Sequence, residues 1–167
     1  MDAASVGAFT LLGYTLDAPF ERGATLALDT HWRVDSRPTQ DAVLFVHVYG
    51  PDGTLVAQAD SPPEQGRRST LTYRLGDGID LRHRFTLPNH AAGGEYTVFA
   101  GVYNRADQVR WDAWQNGEAA KDNLVKLVAF TLPALIRLEP VQFLPVVSHS
   151  QPATTVPPVP VSPYPLP

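Results

Sequence analysis

The 167-residue chain has no cysteine. That excludes a disulfide framework and any thiolate-bound metal, but leaves the compartment open, because surface proteins also avoid free thiols. Charge is scarce as well: 18% of residues are Asp, Glu, Lys or Arg, against about 25% in ordinary soluble proteins. Thirteen basic and 17 acidic residues give a net charge of −4. Lys and Arg nowhere gather into the stripe that displaces counterions from a nucleic acid, so sequence-independent nucleic-acid binding is excluded.

Long apolar runs are missing too. No stretch approaches the roughly 18 residues of a membrane span. Met1 to Thr10 has neither the basic start nor the apolar run of a signal peptide. As written, the chain reads as soluble, and equally as a mature or excised segment. Helix signals are also lacking, since no window carries apolar residues at helical spacing between caps. The five histidines (His31, His47, His83, His90, His149) show no ligand spacing of the HExxH kind, and Asp29, Asp60, Asp77 and Asp80 form no DxDxDG loop. No metal or cofactor is expected. No Gly-rich loop between a strand and a helix offers a phosphate cradle, and no sharp nucleophile turn suggests a catalytic serine.

What the sequence does contain is a series of strands. In Ala24 to Arg33, Leu26, Leu28, Thr30 and Trp32 alternate with Thr25, Ala27, Asp29 and His31, which places an apolar and a polar face on one pleated strand. A shorter strand is expected around Phe9 to Tyr14. Ala42 to Tyr49 is β-branched and aromatic on both faces, the pattern of a central strand. Gly50-Pro51-Asp52-Gly53 then supplies a turn, and Thr54 to Ala59 returns as the hairpin partner. Asp60 to Gly78 reads as a long loop. Further strands are expected at Ile79 to Leu87, Glu95 to Tyr103, Gln108 to Trp111 and Asn123 to Leu132, with Asp112 to Asp122 as a loop.

Seven or eight short strands joined by turns imply an all-β domain over residues 1–132, a two-sheet antiparallel β-sandwich of immunoglobulin-like or jelly-roll-like type. Its expected core includes Leu26, Leu28, Trp32, Leu44, Val46, Val48, Tyr96, Val98 and Val102. His47 is expected to meet Asp60 across the hairpin as a structural cross-strand pair.

The order of motifs resembles a β-sandwich domain appended to the C-terminus of some bacterial multi-spanning membrane glycosyltransferases and related surface proteins. The matching pieces are Leu12-Gly13-Tyr14, Leu26 to Trp32, Phe45-Val46-His47 and Ala57 to Pro62, then Ser69-Thr70 with Tyr73 and Gly76. They continue through Leu87-Pro88, Gly94-Glu95-Tyr96, Gly101-Val102-Tyr103 and Leu127 to Thr131. The likeness spans about residues 10 to 132. It implies a non-catalytic module in an extracellular or cell-surface setting, and a looser likeness to sugar-binding sandwich domains of polysaccharide exporters adds glycan as a ligand class. Trp111 and Trp114, beside Gln115 and Asn116, interleave apolar faces with hydrogen-bonding groups as a sugar platform requires, and they also suit the capping of a sandwich edge.

From Pro133 onward the composition changes. Ten of the 16 prolines fall in residues 133–167, and no Asp, Glu, Lys or Arg follows Glu139. Such density forbids helix and interior strand and favours an extended arm. Composition alone suits a linker. Yet the arm carries Val141, Phe143, Leu144, Val156, Val159, Val161, Tyr164 and Leu166, more apolar surface than a solvated linker usually bears. The expected partners are therefore other protein subunits, of the same or a different chain, reached through this arm.

Overall fold

The computed structural model describes residues 4–17 and 19–135. The C-terminal arm from residue 136 onward, including all eight of its expected contact residues, lies outside them. Among the described residues there are ten strands: β1 Ala4–Val6, β2 Phe9–Leu16, β3 Thr25–Val34, β4 Ala42–Tyr49, β5 Leu55–Ser61, β6 Gly78–Thr86, β7 Gly94–Asn104, β8 Ala113–Gln115, β9 Glu118–Ala119 and β10 Val125–Leu132. They form a six-stranded sheet in the order β6-β3-β2-β1-β8-β9 and a four-stranded sheet in the order β10-β7-β4-β5. Every pairing is antiparallel. The all-β two-sheet architecture expected from the strand pattern is therefore present.

Alternation places the core. In β6 every second residue (Ile79, Leu81, His83, Phe85) is buried, while Asp80, Arg82 and Arg84 stand in solvent. All nine expected core residues are buried, Leu26, Leu28, Leu44, Val46, Val48, Val98 and Val102 completely. One half of the core gathers around Trp32, Phe9, Leu44 and Val102, the other around Leu28, Val46, Tyr96 and Phe85. Each large side chain so buried contributes about 1.5–3 kcal/mol.

One polar chain crosses this core. Trp32 Nε1 donates to Thr30 Oγ1 at 2.9 Å, Thr30 Oγ1 lies 2.9 Å from His83 Nε2, and His83 Nδ1 lies 3.2 Å from the Ala59 carbonyl. A carbonyl can only accept, so His83 carries its proton on Nδ1 and Nε2 accepts from the Thr30 hydroxyl. Both ring nitrogens of buried His83 thereby have a partner, and the six-stranded sheet is tied to edge strand β5 of the other sheet.

The loop from Pro62 to Asp77 contains two short 3₁₀ turns, Pro63–Gly66 and Thr70–Thr72. Asp41 anchors it by accepting from the Thr70 amide at 2.8 Å and the Ser69 hydroxyl at 2.9 Å. Two local expectations change. Residues 108–111 make only an isolated bridge, Tyr103 to Arg110, beside the end of β7. Gln108 turns in a left-handed conformation (φ 61°), and Trp111 packs against the core of the sandwich, so the segment leaves the four-stranded sheet at once. The stretch 112–122, expected as a loop, instead holds the β8–β9 hairpin in the six-stranded sheet, and β1 precedes the first expected strand. Among the described residues no helix is long and apolar enough to cross a membrane.

Candidate functional site

The most heavily furnished surface is the outer face of the four-stranded sheet. In β4 the even positions Leu44, Val46 and Val48 face the core, so Phe45, His47 and Tyr49 project from the opposite side. Phe45 nevertheless has no exposed surface. Its β7 partner is Gly101, whose missing side chain leaves room for the ring: a Cβ there would fall 2.3 Å from Phe45 Cζ. His47 and Tyr103 flank the ring, with centroids at 4.2 and 5.7 Å, and the Arg110 guanidinium caps it 5.6 Å from the centroid.

Arg110 is itself held, donating to the Tyr49 hydroxyl at 3.2 Å and to the Asp122 carbonyl at 3.3 Å. Tyr49 meets Phe99 edge to face, at 5.7 Å and 81°. These contacts make an aromatic ladder across β4 and β7, roofed by the segment that carries Arg110.

Among the described residues, a smaller and a larger cleft open on this face. The smaller, about 310 Å³, lies between His47, Gln58, Asp60, Tyr103, Gln108 and Arg110. Here His47 Nε2 sits 3.3 Å from Asp60 Oδ1, the pairing expected across the hairpin, and the Tyr103 hydroxyl donates to Asp60 Oδ2 at 3.4 Å. Burial pushes the His47 pKa below its ordinary value, against the pull of Asp60, and the Arg110 charge pushes it further down. Burial, and then the Asp60 charge, push the Tyr103 phenol up. At neutral pH the imidazole is uncharged and the phenol protonated, so the cleft presents donors and acceptors beside aromatic faces.

The larger cleft, about 630 Å³, is floored by Tyr49, Thr97 and Phe99 and rimmed by Glu95, Lys121, Asp122 and Lys126. Gln115 of β8 closes one side by gripping the backbone of Lys126, its Nε2 donating to the carbonyl at 2.9 Å and its Oε1 accepting from the amide at 3.0 Å.

The residues expected for a sugar platform fall into different environments. Trp111 is half-buried, stacked on Phe9 with centroids 5.7 Å apart and planes within 8°. Trp114 stands on β8 opposite Ser5 and Ala119 and is 50% exposed. Asn116 is exposed in the two-residue turn between β8 and β9, where both it and Gly117 have positive φ (57° and 83°). That is the type I′ geometry for which Asn-Gly is the strongest short signal, a signal of the hairpin that the loop expected at 112–122 left unused. No local pattern marks Phe45, Tyr49, Phe99 and Arg110 as one surface, because the roof over Phe45 comes from a distant segment.

No family model matches the chain, and no curated protein matches it. Among solved structures it is similar to the crystal structure of the C-terminal domain of Wzt, with a TM-score of 0.50 and 12% sequence identity over 83% of this chain and 87% of that one. At that identity the likeness is one of fold: both are β-sandwiches, and the neighbour is a C-terminal domain.

Proposed function

We propose that this chain is a non-catalytic structural or interaction subunit of a larger extracellular or membrane-associated assembly, with the sandwich as scaffold and residues 140–167 docking on a neighbouring subunit, in the simplest case a second copy. The observation that carries this reading is the composition of that segment. It is rich in Val, Leu, Phe and Tyr and has no Asp, Glu, Lys or Arg. Such surface favours burial by about 25 cal/mol per Å² before ordering costs. Proline lowers those costs, because a chain already restricted in φ loses less entropy on docking. The resemblance to appended C-terminal sandwich domains supports an accessory role. Light scattering coupled to size-exclusion chromatography, on the full chain and on a chain ending at Glu139, tests it. The full chain is expected to assemble and the shortened one to elute as a folded monomer. Normal assembly of the shortened chain would overturn the reading.

A second reading is a glycan-binding accessory domain associated with a membrane glycosyltransferase. It is favoured by Trp114, half exposed beside Gln115 and Asn116, an open indole face next to amide groups. A glycan array probed with the full chain and with Trp114→Ala tests it. No binding, or binding unchanged in the variant, would remove it.

A further inference from the structure

We propose that the larger cleft on the outer face of the four-stranded sheet is the receptor for the proline-rich segment 157–163 of a second copy of this chain. The inference rests on the docking reading above and names the surface that does the receiving. Three features of the cleft and the segment match.

The first is shape. Pro157, Pro160 and Pro163 recur at intervals of three, and a polyproline II helix has three residues per turn, so a segment docked in that conformation would present these rings as one ridge about 20 Å long. Grooves that receive such ridges are lined by aromatic rings set at an angle to one another. Tyr49 and Phe99, edge to face on the cleft floor beside Gly50 and Pro51, supply that lining.

The second is charge. The cleft is rimmed by two acids, Glu95 and Asp122, and two bases, Lys121 and Lys126, and so has no net charge to complement. The segment likewise has no acidic or basic side chain. A polyproline II backbone makes no internal hydrogen bonds and leaves its carbonyls free. Lys121 and Lys126 are donors placed around the cleft to meet them.

The third is reach. Residues 136–156 separate the described domain from the segment, and at about 3.1 Å per residue they extend up to about 65 Å. A domain of this size is about 35 Å across, so a neighbour's outer sheet face lies within range.

The absence of cysteine makes the test clean. Full-length Thr97→Cys is mixed with full-length, mass-tagged Val159→Cys and treated with a short bismaleimide. A control replaces Thr97→Cys by Arg84→Cys, an exposed position on the outer face of the other sheet. A covalent pair between Thr97→Cys and Val159→Cys is expected, with a yield at least about tenfold above the Arg84→Cys control. Replacing Pro157, Pro160 and Pro163 by alanine should lower that yield by about tenfold, since the ridge and its preorganisation are both lost.

Equal yields at positions 97 and 84 would overturn the inference, as would a Thr97→Cys, Val159→Cys double variant that links only within one chain. An assembly that is lost on removal of residues 140–167 but gives no 97–159 product leaves the docking reading intact and places the receptor elsewhere. An assembly that survives the removal ends both.

Discussion

Phe45 lies across the bare backbone of Gly101 on the outside of the sandwich, and the two residues are direct partners in adjacent strands. A core-sized ring is thus buried on a face that ordinarily looks at solvent, and glycine at 101 makes it possible. Gly101→Ala would force its methyl group into the ring and displace it toward His47 and Arg110. The expected cost is about 1–3 kcal/mol, the usual range for overpacking, read as a lower urea midpoint at unchanged slope. Unchanged stability would show that the ring moves aside freely.

His83 makes stability depend on pH. Burial holds its folded pKa at about 4, below the usual 6.5, with the Ala59 carbonyl opposing. As pH falls below 6.5 the unfolded chain takes up the proton first, which favours unfolding; the loss accumulates down to about 4 and then levels off. The magnitude is about 3 kcal/mol, and His47, also shifted down, adds to it in the same direction. Urea titrations between pH 7 and pH 4 should show the fall, and His83→Gln should flatten most of it. A flat profile in the unsubstituted protein would contradict the network.

Asp41 holds the loop after β5. Burial alone would raise its pKa, but the hydrogen bonds from Thr70, Ser69 and Arg105 outweigh that and hold the carboxyl below its ordinary value. Asp41→Ala leaves the Thr70 amide without a partner and the Thr70 hydroxyl with only its longer bond to the Gln40 carbonyl, at a cost of about 1–3 kcal/mol. Limited proteolysis should then cut between Pro62 and Asp77 well before the domain unfolds. Cleavage at the rate of the unsubstituted protein would show that the loop is held by other means.

The two indoles of the 111–114 stretch should separate on substitution. Trp111→Ala removes a ring stacked on Phe9 and should destabilise by about 3 kcal/mol, in the range of large-to-small core changes. Trp114→Ala, at a half-exposed site, should fall within about 0.5 kcal/mol of the unsubstituted protein. Thermal melts of the two variants decide this, and they show which of them is a clean probe for glycan binding.

Much of the fold was written locally. The alternation from Leu26 to Trp32, the doubly apolar run from Ala42 to Tyr49 and the Gly50 to Gly53 turn each specify an element within a dozen residues, and the structure has all three. The β8–β9 hairpin was less legible, because its strands have only three and two residues and carry too little pattern beside their Asn-Gly turn. The outer-face cluster was least legible of all. Alternation separates the two faces of β4, but that Phe45 is roofed by Arg110 depends on the chain returning past Tyr103 and stopping there, a non-local event that no periodicity encodes. The His47–Asp60 pair could be anticipated because the hairpin turn fixes its register.

Sedimentation equilibrium of the full chain across protein concentration, at about 50 and 500 mM salt, tests the central claim most directly. Charged contacts weaken as the Debye length shrinks over that range, whereas apolar docking does not. An uncharged strap predicts self-association that persists, with a dissociation constant changing by less than about threefold between the two conditions. A chain that stays monomeric at every concentration, or an assembly that dissolves at the higher salt, would contradict it.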